Sequence, residues 1–152
     1  MSYSSKIYET AVETFEITCF LFPLEKDEVG NEDNSQFASS GIKTIVEFDG
    51  AAKGLVVISP STSLLRAMAG NMLGIEEPDT KQKEEALCEV ANIISGNIAP
   101  MFSRDNEICY INPPRLIDGK GDQEYAFDGA EKESVRVFLN EGVADIEVYY
   151  QV

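Results

Sequence analysis

The stretch from about Thr80 to Ser103 sets the strongest condition on the fold, because it reads as one long helix with two unlike sides. Asp79 is a good N-cap with Gln82 three residues on, a capping-box arrangement in which each residue of the pair satisfies a free backbone donor. Pro78 just ahead discourages an earlier start. At about 100° per residue, Leu87, Val90, Ala91, Ile94, Ile98 and Met101 cluster around one direction. Glu85, Glu89, Asn92 and Gly96 fall in a narrow stripe on nearly the opposite side. Other elements must bury the first face, and the second is left to meet solvent or a partner.

The flanking segments supply that cover. Ser4 or Ser5 can cap a first helix that runs to about Leu21 and stops before Pro23, with Ile7, Ala11, Phe15, Thr18/Cys19 and Phe22 at helical spacing. A polar stretch from about residue 25 to 40 reads as an acidic loop. Thr44–Phe48 and Leu55–Ile58 then form two strands joined through Gly50–Lys53. Ser59-Pro60-Ser61 opens a helix over Thr62–Leu73, which Gly74 ends. Beyond the long helix come Ile108–Asn112, Pro113-Pro114 and Leu116-Ile117. Two alternating runs close the chain, Val135 to Leu139 and Val143 to Tyr150, joined at Asn140-Glu141-Gly142. Helix, two strands, two helices and about four strands do not make the strict βαβ alternation of a parallel sheet. The expected class is α+β: a mostly antiparallel β-sheet with helices packed on one face. With 152 residues, the chain is expected to form one domain over 1–152.

Composition removes many chemistries. The chain contains no histidine, which excludes Ser-His and Cys-His nucleophile pairs and histidine general bases. Cys19, Cys88 and Cys109 form no CxxC pair and sit among apolar residues, so they read as reduced core thiols rather than zinc ligands. A formal net charge of −15 repels nucleic acid and anionic membranes and favours a basic or metal-bearing partner surface. The longest apolar runs, Cys19–Phe22 and Leu55–Ile58, are too short to span a bilayer, so a cytoplasmic location is expected.

The polar stripe has two readings. It can be a solvated face, the commoner fate of such a pattern. Against that, Asn92 is a mediocre helix former in mid-helix. Gly96 costs about 1 kcal/mol relative to alanine there. Small residues at Ser95 and Gly96 would let another surface approach closely.

The segment Glu85-Ala-Leu-Cys-Glu89-Val-Ala-Asn92-Ile-Ile-Ser-Gly-Asn97, followed by Ile111-Asn-Pro113-Pro114, resembles the CheC/CheX/FliY family of chemotaxis phosphatases, nearest its single-domain CheX type. That family's signature is Asp or Ser, then Glu four residues on, Asn three further, and a downstream proline. Glu89, Asn92 and the diproline fit, while Glu85 replaces the usual Asp or Ser. The order of elements extends the likeness to nearly the whole chain, outside the acidic loop. A weaker echo, Glu9, Glu13 and Glu16, repeats the spacing on the first helix with a carboxylate where the amide would stand.

The resemblance implies a CheC/CheX-like α/β sandwich and a hydrolase acting on the aspartyl-phosphate of a CheY-like response regulator. It implies Glu89 and Asn92 as catalytic residues, Asn92 orienting the attacking water and Glu89 pairing with the regulator's lysine. Glu85, Ser95 and Gly96 would touch the partner. No cofactor of the chain's own is implied, Mg2+ being held by the regulator, and a homodimer is expected. The alternative is a non-catalytic binding or dimerisation module of a two-component or chemotaxis pathway.

Overall fold

The computed structural model describes residues 3–24, 38–104, 106–118 and 127–152, so most of the expected acidic loop lies outside the described residues. Residues 38–40 of it are described and docked: Ser39 bridges Ser61, and the Ser40 hydroxyl donates to the Pro60 carbonyl at 2.8 Å. The elements follow the expected order. Helix α1 (Ser4–Cys19) precedes strands β1 (Ile42–Gly50) and β2 (Lys53–Pro60), then helices α2 (Thr62–Leu73) and α3 (Thr80–Ile98). Strands β3 (Cys109–Ile111), β4 (Arg115–Asp118), β5 (Glu131–Leu139) and β6 (Gly142–Gln151) complete the described chain.

The strands form one sheet in the order β3-β1-β2-β6-β5, with β4 also beside β1 and every pairing antiparallel. Strand β3 pairs with the C-terminal end of β1, Ile111 opposite Phe48, and β4 with its N-terminal half, Arg115 opposite Ile45. Pro113 and Pro114 interrupt this edge because proline has no N–H for the ladder. The Asn112 N–H meets the Glu47 carbonyl at 2.8 Å in the gap.

Alternation sends Val46, Phe48, Val56, Ile58, Ile146 and Val148 to one side of the sheet. There they join Ile7, Ala11 and Phe15 of α1, Leu64, Leu65 and Met68 of α2, and Leu87, Val90 and Ile94 of α3 in a single core. Burying each large apolar side chain is worth about 1.5–3 kcal/mol, so packing against this sheet, more than helix propensity, holds α3 as a rigid rod. The opposite face carries a smaller apolar group, Ile45, Val57 and Tyr149, to which no helix contributes among the described residues.

Three helix boundaries differ from expectation. The long helix ends at Ile98, and Ala99–Phe102 is a 3-10 turn, because Pro100 removes a backbone donor and clashes with the preceding turn. The first helix has Tyr3 at its N-cap position with no side-chain cap, and the Ser4 hydroxyl donates to Glu133 Oε1 at 2.6 Å instead. That helix ends at Cys19, with Phe20 in the left-handed conformation at φ 56°. The change of direction there buries Leu21 and leaves Phe22 exposed, reversing the expected inward position of Phe22. By contrast α2 has the expected bounds, with Ser61 Oγ accepting from the Leu64 N–H and Gly74 left-handed at φ 69°.

Candidate functional site

Helix α3 starts where its capping box fixes it. The Gln82 N–H donates to Asp79 Oδ1 at 2.8 Å, and the Asp79 N–H donates to Gln82 Oε1 at 2.9 Å. With its start fixed and Leu87, Val90, Ala91, Ile94 and Ile98 buried, the rotation of the rod about its axis is determined. Glu85, Glu89, Asn92 and Gly96 all lie exposed along the outer side. Among the described residues Glu89 and Asn92 form no ion pair or hydrogen bond, so a carboxylate and a carboxamide stand about one turn apart with their polar atoms free.

Ser95 is a correction. It was expected beside Gly96 as part of the approach surface, but it is fully buried, and its Oγ has no hydrogen-bond partner among the described residues. At 100° per residue it lies well round from Glu89, on the flank that the rest of the fold covers. Gly96 remains outside. A Cβ there would meet only Ile111 Cδ1, at 3.8 Å, so internal packing does not demand a glycine at this position.

The ridge borders the ends of two other helices. The Asn71 side chain of α2 donates to the Cys19 carbonyl at 2.8 Å, tying α2 to the C-terminal end of α1. A groove of about 320 Å3 runs between these ends and α3, lined by Thr18, Phe20, Met72, Leu73, Gln82, Glu85, Ala86 and Glu89. Burial, and after it the negative charge of Glu89, push the Cys19 thiol up to about 12. The Glu89 carboxylate therefore sits close to the end of α1, where the helix dipole is also negative. A larger groove along α2, beside Arg66, Asn71 and Glu141, includes neither Glu89 nor Asn92. The candidate site is a ridge suited to insertion into another molecule, and a small-molecule cavity is not its form. Among the described residues no cluster of three or more metal-ligating side chains occurs. No helix of the described chain is long and apolar enough to cross a membrane.

Phe20 and Leu73, at 63% and 51% exposure, stand beside the ridge without having been expected there. Helical periodicity assigns residues to faces of one element and carries no signal for where the ends of three helices meet.

Residues 42–137, the stretch holding the whole ridge and the diproline, match the family model for the chemotaxis phosphatase CheX. The chain belongs to the CheX family. Solved structures carry the same fold. A CheX chemotaxis protein of Desulfovibrio desulfuricans superposes with a TM-score of 0.77 at 17% identity, over 99% of this chain and 100% of that one. The CheX–CheY–BeF3–Mg2+ complex from Borrelia burgdorferi matches with a TM-score of 0.72 at 20% identity, over 99% of each chain. Thermotoga maritima FliY is a more distant likeness, with a TM-score of 0.55 at 16% identity over 96% of this chain and 88% of that one. No curated protein sequence matches this CheX-family chain. The resemblance carried by residues 85–114 and the expected α+β architecture are both borne out, and membership places the chain in a family of chemotaxis phosphatases.

Proposed function

We propose that this chain hydrolyses the aspartyl-phosphate of a CheY-like response regulator, with Asn92 and Glu89 as the catalytic pair. The observation that carries the reading is the exposure of an unpartnered carboxamide and carboxylate, one turn apart, on a helix locked by its core face. An aspartyl-phosphate is an activated mixed anhydride, and phosphoryl transfer needs mainly alignment and charge stabilisation. The Asn92 carbonyl accepts a hydrogen bond from the attacking water, and its NH2 donates to a phosphoryl oxygen. Water oxygen bonds to phosphorus, the bond from phosphorus to the aspartyl oxygen breaks, and carboxylate and inorganic phosphate leave. Glu89 pairs with the lysine beside the phosphoaspartate and sets the depth of insertion.

Glu85 and Gly96 belong to the contact surface in this reading. A side chain at Gly96 would extend into the space through which the regulator approaches, which explains a residue that costs helix stability. The regulator supplies the Mg2+, and the strongly acidic chain meets it on a basic or metal-bearing surface. We further infer a single cytoplasmic domain over 1–152 that works as a homodimer.

The test follows inorganic phosphate released from phosphorylated CheY with and without the chain. Accelerated release that disappears in Asn92→Ala, with the circular dichroism spectrum unchanged, is the expected result. A non-catalytic binding module would instead slow phosphate loss, and that outcome would reject the proposal.

A further inference from the structure

The surface beside Glu89 has a composition that solvent alone does not explain. Phe20 is the one non-glycine residue with positive φ among the described residues, a backbone state that L-residues rarely adopt. Two hydrogen bonds impose it: the Phe20 N–H donates to the Glu16 carbonyl at 3.2 Å, and the Leu21 N–H donates to the Phe15 carbonyl at 3.0 Å. Leu21 is buried directly after it, so the chain turns inward while the Phe20 ring is held outward. Leu73, at the last position of α2, is likewise half exposed. Glu85 and Glu89 line the same groove, and among the described residues no lysine or arginine does.

We propose that this groove receives a long basic side chain of the receiver domain, its alkyl stem lying over Phe20 and Leu73 and its cationic head pairing with Glu85. The proposal rests on the phosphatase reading and names what else the regulator offers besides its catalytic lysine. Lysine and arginine place an apolar stem against apolar surface while the charged head stays hydrated or paired. A cation near an aromatic face gains further from the ring quadrupole. A purely apolar occupant would leave both carboxylates without a counter-charge, and an acidic one would be repelled. The groove is continuous with the ridge through Glu89, so a partner docked on the ridge has the groove within its reach. Glu89 is engaged with the lysine beside the phosphoaspartate, which leaves Glu85, one turn earlier, for the second cation. The glutamate that departs from the family's Asp or Ser thereby acquires a specificity role, its longer side chain reaching further over the groove.

Steady-state dephosphorylation of CheY, phosphorylated by a small phosphodonor, tests this with the full chain and the variants Phe20→Ala, Leu73→Ala and Glu85→Gln. Each is expected to raise KM about three- to tenfold while kcat at saturation stays within about twofold of the parent. Glu85→Gln should also weaken the salt dependence of KM. Leu73 and Glu85 are exposed, so those two variants remain informative if Phe20→Ala impairs folding. Unchanged KM in Leu73→Ala and Glu85→Gln, with Asn92→Ala still inactive, overturns the groove proposal and leaves the phosphatase reading standing. A raised KM in Leu73→Ala, with KM and salt dependence unmoved in Glu85→Gln, overturns the basic occupant. If the parent chain fails to accelerate phosphate release at all, the phosphatase reading falls and this proposal falls with it.

Discussion

Helices α1 and α3 carry the same spacing of polar positions with different residues at the third. On α3 the series is Glu85, Glu89 and Asn92, all exposed; on α1 it is Glu9, Glu13 and Glu16, and Glu16 is half-buried. A capping box fixes the start of α3, whereas α1 begins without a side-chain cap and ends in the left-handed Phe20. An amide offers both an acceptor and donors to a water and a phosphoryl oxygen, and an ionised carboxylate offers acceptors only. The two helices pack against each other, so α1 serves α3 as a flank, supplying Thr18 and Phe20 to the groove. Repeated spacing is therefore insufficient; in the proposed reading, the residue type and exposure at the third position separate a reactive ridge from a supporting one.

The largest expected effect tests that separation directly. Asn92→Ala should lower kcat about 100-fold, the range for losing one aligned donor or acceptor in a transition state. Adding Glu16→Asn to that variant should restore nothing, because position 16 is half-buried and the end of its helix is occupied by Phe20. Recovered phosphate release in the double variant would break the comparison and make α1 a second reactive helix. Glu89→Ala should act mainly on binding, weakening the affinity for beryllofluoride-loaded CheY about tenfold, measured by titration. An unchanged affinity would remove Glu89 from the contact with the regulator's lysine.

The contrast also shows what a linear pattern carries. The bounds of α2 were legible because Ser61 and Gly74 act locally, one as acceptor for a helix N–H and the other as a left-handed cap. The outward direction of Glu85, Glu89 and Asn92 was legible because a capping box and five apolar positions fix the rotation of α3. Ser95 was misplaced because it lies on a flank, and which flank is covered depends on neighbours from elsewhere in the chain. Phe22 was misplaced because one left-handed residue, Phe20, changes the phase of everything after it. The groove was invisible for a stronger reason: its walls come from three helices, and no local pattern reports their meeting.

A smaller effect concerns the buried hydroxyls of the two helices. On α1 the Thr14 hydroxyl donates to the Thr10 carbonyl at 2.9 Å, while on α3 the Ser95 hydroxyl has no partner among the described residues. Ser95→Ala removes an uncompensated polar group and improves helix propensity, so it should raise unfolding stability by about 1 kcal/mol. Thr14→Ala removes a satisfied hydroxyl and a buried methyl, and should lower stability by about 1 kcal/mol. Urea denaturation midpoints at constant slope measure both. A Ser95→Ala variant less stable than the parent would mean that the hydroxyl is satisfied, and the contrast between the helices would vanish.

The smallest effect is absent at neutral pH and emerges in alkali. Burial raises the thiols of both Cys19 on α1 and Cys88 on α3, Cys19 to about 12 with Glu89 adding to the rise, while a hydrogen bond with Thr44 partly counters it at Cys88. A folded-state pKa above the unfolded value means that the native state keeps its proton longer as pH rises. The resulting stability is fully present below the unfolded thiol pKa of about 8.5, and it is lost as pH climbs towards about 12. Unfolding stability should therefore decline over that window. Cys19→Ala should flatten the decline more than Cys88→Ala, whatever each costs in packing at pH 7, because the slope reports proton binding and the offset reports the cavity. Adding Glu89→Gln to the parent should ease the Cys19 contribution without abolishing it, since burial is the larger cause. Equal slopes in the parent and Cys19→Ala would show that the end of α1 is open to water, and that Glu89 does not stand over a sealed junction of the two helices.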